Sequence, residues 1–162
     1  NVVKNVIVNL SKKNKIKIIQ QTHKSNTDNL KNIYDKAEIE NIIFDFEENL
    51  GDLINQSDLC VTRAGASTLA ELSIMNKPFL TIPLVSAKDN HQFENANFYQ
   101  NLGCCWIMSQ KDFNDVNLEK FLDHIITNKS EYDEKKNNLE KHNFQNSWND
   151  INQKILKTIN EN

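Results

Sequence analysis

Leu59-Cys60-Val61-Thr62-Arg63-Ala64-Gly65-Ala66-Ser67-Thr68-Leu69-Ala70-Glu71-Leu72 is the stretch that decides the fold. Leu59 to Thr62 reads as a short strand, Arg63-Ala64-Gly65 as a turn of small residues, and Thr68 to Met75 as a helix. Pro78 to Ile82, apolar and bounded by prolines, supplies the returning strand. A strand, a tight turn, a helix and a second strand make a βαβ unit. The same alternation recurs on both sides. Upstream, Ile16 to Gln21 is a strand, Ser25-Asn26-Thr27-Asp28 a polar turn leading to a helix through Lys36, Ile39 to Phe44 a second strand and Leu50 to Gln56 a short helix. Downstream, a helix from about His91 to Asn101 precedes a strand from Gly103 to Met108. Short strands alternating with helices predict a Rossmann-like α/β domain, with a parallel sheet of about five strands and helices on both faces.

The ends of the chain read as helices. Val2, Val3, Val6, Ile7 and Leu10 line one face of an amphipathic helix that is already under way at Asn1, so the chain is expected to continue a longer protein. Leu118, Phe121, Leu122, Ile125 and Ile126 step at helical spacing, as do Trp148, Ile151, Ile155 and Ile159. Lys129 to Asn146 is hydrophilic throughout and is expected to be a solvated, mobile helix.

The composition narrows the function. The 162 residues suit one domain, spanning 1–162. A net charge of −3, with acidic and basic residues interspersed, leaves no basic face for nucleic acid. Cys60, Cys104 and Cys105 lack C-x-x-C spacing and sit in apolar runs, which suits a reducing cytosol. No apolar run approaches the roughly 20 residues needed to span a bilayer, and the opening residues do not form a signal peptide. No Asp-x-Asp pair is present, so the reading includes no metal and no cofactor.

Ligands of open parallel sheets bind where strand carboxyl ends lead into helix amino termini. Two such loops stand out. In the first, Thr62 to Leu72, small side chains let backbone amides approach an anion, and the helix terminus carries about +0.5 charge, so a diphosphate fits. Thr68-x-x-Glu71 also spells a capping box, which would employ both residues in the helix itself. The second loop runs from Pro83 to Ala96. There Asp89-x-x-Gln92 also reads as a cap, His91 as an ordinary surface histidine, and Gln92 and Asn95 as amides three apart on one helix face. Amide and imidazole groups donate and accept at once, which suits a sugar.

Taken in order, Thr62-Arg63-Ala64-Gly65-Ala66-Ser67-Thr68-Leu69-Ala70-Glu71-Leu72, Pro78, Ile82-Pro83-Leu84, Asp89-x-His91-Gln92-x-x-Asn95-Ala96 and Gly103 resemble glycosyltransferase family 28, the UDP-GlcNAc-dependent transferases of peptidoglycan synthesis. The resemblance implies the carboxy-terminal half of a GT-B fold, which binds UDP-GlcNAc. It also implies transfer of GlcNAc to undecaprenyl-diphosphate-linked MurNAc-pentapeptide, lipid I to lipid II, at the cytoplasmic face of the plasma membrane. Carried over by position, the backbone at Phe46 and Glu47 takes the uracil and Glu71 the ribose hydroxyls. Ala64, Gly65, Ala66, Ser67, Thr68 and Leu69 face the diphosphate, and His91 and Gln92 contact the GlcNAc. Arg63 and Asn95 shape the same site. The family's glycine-rich phosphate loop is not in this sequence, nor is the amino-terminal domain expected to bind the lipid acceptor, meet the membrane surface and supply the catalytic base. Taken alone, the chain is expected to be inactive. The alternatives are a separate donor-binding subunit of a split transferase and a non-catalytic nucleotide-binding domain.

Overall fold

Alternating strands and helices carry through a computed structural model that describes residues 2–87, 90–145 and 157. The elements in chain order are α1 (Val2–Ser11), β1 (Lys17–Gln21), α2 (Thr27–Lys36), β2 (Glu40–Phe44), α3 (Leu50–Asn55), β3 (Cys60–Thr62), α4 (Ala66–Ile74), β4 (Phe79–Thr81), α5 (His91–Asn101), β5 (Cys105–Ile107), α6 (Asp115–Thr127) and α7 (Lys129–Gln145). The described residues gather into two compact units, one built from those up to 57 together with 108–129, the other from those in 58–107 and from 130 onward.

In the first unit β1 and β2 pair in parallel, from Lys17 opposite Glu40 to Gln21 opposite Phe44. The Lys17 ammonium meets the Glu40 carboxylate at 3.0 Å across this register. Helix α2 buries Leu30 and Tyr34, four residues apart and so on one face. The Tyr34 phenol donates to Gln20 Oε1 at 2.8 Å, and burial pushes its pKa up to about 12. Helix α1 buries Val6, Ile7 and Leu10, the stripe expected from sequence, and packs on α6, which buries Leu118, Leu122 and Ile125. Asn5 and Asn9 donate to Asp115 and Glu119 along that contact.

In the second unit the strand order is β3-β4-β5, all parallel, with β4 in the centre. A central parallel strand is covered on both faces. Phe79, Leu80 and Thr81 are accordingly all buried. The register aligns Thr62, Thr81 and Ile107, so the three strands end level and their following loops leave from one edge. Cys104 and Cys105 are buried free thiols, and burial raises the pKa of both, that of Cys105 to about 12. Among the described residues no helix is long and apolar enough to cross a membrane.

Three local expectations change. Strand pairing joins the five strands as a pair and a triplet instead of one sheet, because residue patterns reveal strands but not their neighbours. Helix α4 begins at Ala66, two residues before the expected start at Thr68. And α7 is solvated on one face only. Leu139 is fully buried, Tyr132 donates to the Asp58 carbonyl at 3.0 Å, Asn138 to the Gly103 carbonyl at 3.1 Å, and Asn143 to Asn76 at 2.7 Å. Trp106 donates to Glu131 at 2.6 Å while the Lys135 ammonium lies 5.7 Å from its ring centre. Polar residues reaching backbone groups, with a single buried leucine, leave no apolar stripe for periodicity to detect. Gly103 is required at this junction: its φ is +68°, and a Cβ there would stand 2.6 Å from Asn138 Nδ2. The helical spacing of Trp148, Ile151, Ile155 and Ile159 lies outside the described residues.

The docking of α7 is testable by Leu139→Ala, which should lower the unfolding free energy by about 2–5 kcal/mol in denaturant titration, the usual cost of emptying a buried leucine site. A loss below about 0.5 kcal/mol, typical of surface changes, would restore the solvated-face reading.

Candidate functional site

The loops that leave the level carboxyl edge of β3 and β4 contain most of the residues picked out in the sequence. After β3 the chain turns at Arg63-Ala64-Gly65, and Gly65 is the N-cap of α4, with φ −69° and ψ 133° and, as a glycine, no side-chain cap bond of its own. The first helical hydrogen bond is Leu69 N–H to the Gly65 carbonyl at 3.0 Å. The amides of Ala66, Ser67 and Thr68 precede it and belong to the turn of a helix that lacks internal acceptors. The capping-box reading is corrected here: Thr68 is the third residue of the helix, not its cap, and Glu71 lies in the second turn. Ser67 and Glu71, four apart, are both exposed and share one helix face. Ala64 and Leu69 are fully buried core residues.

Three side chains tie this turn to its surroundings. Arg63 Nη1 donates to the Ile82 carbonyl at 3.1 Å, which joins the β3–α4 turn to the β4–α5 loop. Gln92 Oε1 accepts from Leu84 N–H at 3.0 Å, which joins that loop to α5. Asn95 Nδ2 donates to the Ala64 carbonyl at 3.0 Å, which joins α5 back to the first turn. The predicted residues Arg63, Gln92 and Asn95 are therefore neighbours in one frame. His91 is the first residue of α5 and exposed. The residue before it, Asn90, is left-handed at φ +55° and supplies no side-chain cap. Asp89, the other half of the expected cap, lies outside the described residues, and the Gln92 carbonyl oxygen is held by Leu84 instead.

Phe46 and Glu47 follow β2 in the first unit. Phe46 is 77% exposed, a large apolar side chain in solvent. Glu47 Oε1 accepts from Asn49 N–H at 3.0 Å and so turns the chain toward α3. Beside them is an open hollow of about 490 Å³, with Lys24, Thr27, Asp28 and Lys31 on one side and Asp45 and Phe46 on the other. Sequence reading missed this hollow. Its only signal is two lysines seven apart at the start of α2, which does not stand out in a lysine-rich chain. Among the described residues no three His, Cys, Asp or Glu side chains group as a metal site would require.

A sequence model of the glycosyltransferase family 28 C-terminal domain matches residues 1–154. The chain belongs to this family. A relative from Pelagibacter ubique, named UDP-N-acetylglucosamine--N-acetylmuramyl-(pentapeptide) pyrophosphoryl-undecaprenol N-acetylglucosamine transferase, is 49% identical over 99% of this chain and 45% of its own length. A protein of the same name from Rickettsia bellii is 36% identical over 70% of the chain and 32% of its own. The family 28 chain thus spans less than half the length of these relatives. Its fold is similar to the crystal structure of Acinetobacter baumannii MurG, with a TM-score of 0.75 and 22% identity over 86% of this chain and 40% of that one. It is also similar, more distantly, to the spinosyn forosaminyltransferase SpnP, with a TM-score of 0.51 and 13% identity over 90% of this chain and 44% of that one.

In this family 28 chain, glycine at the N-cap leaves α4 without the hydroxyl or carboxylate that most helices carry there. Among the described residues a Cβ built on Gly65 would meet only Thr68 Oγ1, at 3.8 Å, an ordinary contact distance. Gly65→Asp should therefore stabilise the fold by about 0.3–1 kcal/mol, the usual gain from an anion at a helix amino terminus. The same carboxylate would block any anion that α4 binds. A denaturant titration of Gly65→Asp showing lower stability than the parent would mean that the turn cannot accept a cap.

Proposed function

We propose that residues 1–162 are the donor-binding domain of an inverting glycosyltransferase that moves GlcNAc from UDP-GlcNAc to the 4-hydroxyl of undecaprenyl-diphosphate-linked MurNAc-pentapeptide. The reading is supported above all by the near-complete match of this chain to a relative named for that reaction. The geometry supports it independently: an uncapped helix terminus opens from the carboxyl edge of a parallel sheet, with exposed Ser67 and Glu71 on the helix behind it.

Each group has a task that its chemistry suits. The amides at the start of α4 and the helix dipole stabilise the negative charge that grows on the diphosphate as the bond to the sugar's anomeric carbon breaks. Glu71 accepts hydrogen bonds from the ribose hydroxyls. Gln92, its carbonyl oxygen held by Leu84 N–H, turns its Nε2 donor to a sugar oxygen, with His91 beside it. Deprotonation of the acceptor hydroxyl falls to a base in an amino-terminal domain. That domain also binds the lipid at the inner face of the plasma membrane.

Calorimetry with UDP tests the donor site. Glu71→Ala should weaken binding by about ten- to a hundredfold, the loss of a charged hydrogen-bond partner to two hydroxyls, with the melting temperature unchanged. Unchanged affinity with a lower melting temperature would make Glu71 structural. The transfer reaction needs both substrates held together. In a radiolabel assay from UDP-GlcNAc to lipid I, the chain alone should be inactive, and adding the amino-terminal half of a related transferase should give product. Transfer by the chain alone at the rate of an intact enzyme would place the base within these residues.

A further inference from the structure

We infer that α7 is a strap along the amino edge of the β3-β4-β5 sheet that opens and closes as one unit, while the strands beneath it stay paired. The burial of its residues follows the helix turn. From Glu131 to Asn143 the buried and half-buried positions recur at three- and four-residue steps, which place them on one face, and every position between them is exposed.

That face meets the chain just ahead of each strand. The Tyr132 hydroxyl donates to the Asp58 carbonyl at 3.0 Å, shortly before β3. Asn138 Nδ2 donates to the Gly103 carbonyl at 3.1 Å, shortly before β5. Asn143 Nδ2 donates to the Ser73 carbonyl at the end of α4 and, at 2.7 Å, to Asn76 Oδ1 on the way into β4. Besides these, Glu131 accepts from Trp106 of β5, and the His142 ring stands edge-on to Phe98 of α5 at 5.8 Å.

Most of these contacts are of a kind that water can replace. A carbonyl at a sheet edge that loses its α7 donor becomes solvated, so each bond contributes only its small net value. Among the described residues Leu139 is the one fully buried apolar side chain that α7 supplies, whereas β4 buries all three of its residues and α4 buries Leu69 and Leu72. Opening α7 therefore exposes far less apolar surface than unfolding the sheet, and the open state lies lower in free energy than the unfolded one. The contacts also act together, because one continuous helix carries them on one face and a loss at either end loosens the whole. At the opposite, carboxyl edge the bonds of Arg63 to Ile82, Leu84 to Gln92 and Asn95 to Ala64 include no α7 residue, so opening leaves that frame standing.

Native-state amide exchange on the 162-residue chain, followed through guanidinium concentrations below the unfolding transition, tests the strap. The amides from Tyr132 to His142 should share one level of protection, at least about tenfold below that of Leu80 and Thr81 in β4, and respond less steeply to denaturant because less surface is exposed. Tyr132→Phe, which removes one donor, should speed exchange about fivefold along the whole helix, His142 included, the population change that one net hydrogen bond carries. Protection and denaturant dependence equal to those of β4 would mean that α7 leaves only when the sheet unfolds, and would overturn the inference. So would protection graded residue by residue from one end, or a Tyr132→Phe effect that is absent or confined to the first turn, since these describe a fraying helix and not a unit. Should Tyr132→Phe fail to fold, the exchange pattern of the unmutated chain decides alone.

Discussion

Three hydrogen bonds from side chains to backbone hold the β3–α4 turn, the β4–α5 loop and the start of α5 in one frame: Arg63 to Ile82, Leu84 to Gln92 and Asn95 to Ala64. Each serves a backbone group at or beyond a strand end, where the sheet ladder no longer does. A buried carbonyl or amide left unpaired costs about 1–3 kcal/mol, so loops over a sheet edge need such partners to keep one conformation. The same side chains that would touch a ligand are thus the ones that shape the place where it would lie. On the proposed function, loss of one of them would act on both binding and architecture.

That frame depends in turn on the sheet beneath it. Strands β3, β4 and β5 are only three residues long, yet their register places Thr62, Thr81 and Ile107 side by side. A shift by one residue would turn every side chain of β4 to the other face and separate the two loop starts by a strand step. Complete burial of Phe79, Leu80 and Thr81 makes such a shift costly. Helix α7 reinforces the assembly from a distance in sequence, through Leu139 in the core and Asn138 at the tight Gly103 junction that feeds β5.

Much of this was legible from residue types alone. Apolar stripes marked α1 and α6, a polar turn marked the start of α2, and short apolar runs closed by small or polar turns marked the five strands. Those signals come from burial on one face, which periodicity measures directly. What escaped has a common cause. Gln92, Asn95 and Asn138 act by reaching backbone groups at |i−j| of 8, 31 and 35, and nothing in a linear pattern says which carbonyl or amide a polar side chain will find. The start of α4 was misplaced for a related reason. Thr68 and Glu71 satisfy the spacing of a capping box, but Gly65 already adopts the extended N-cap conformation, so the helix begins two residues earlier. The hollow beside Phe46 was missed because its lysines belong to a composition in which lysine is everywhere.

Glycine at the head of α4 gives the helix amides no side-chain acceptor from the N-cap. Serine, aspartate or asparagine at this N-cap would bond the helix amides and gain a few tenths of a kcal/mol over glycine, and among the described residues a Cβ at Gly65 meets nothing closer than Thr68 Oγ1 at 3.8 Å. The glycine instead leaves the amides of Ala66, Ser67 and Thr68 uncapped at the edge of the sheet, where an external anion can take the part of the missing cap. Elsewhere Asn114 accepts from Asn117 N–H at the start of α6, while Asn26, Asn49 and Asn90 at the N-caps of α2, α3 and α5 make no side-chain cap bond. An anion that binds there would gain the hydrogen bonds that folding left unmade, so a ligand diphosphate and a well-capped helix compete for the same donors.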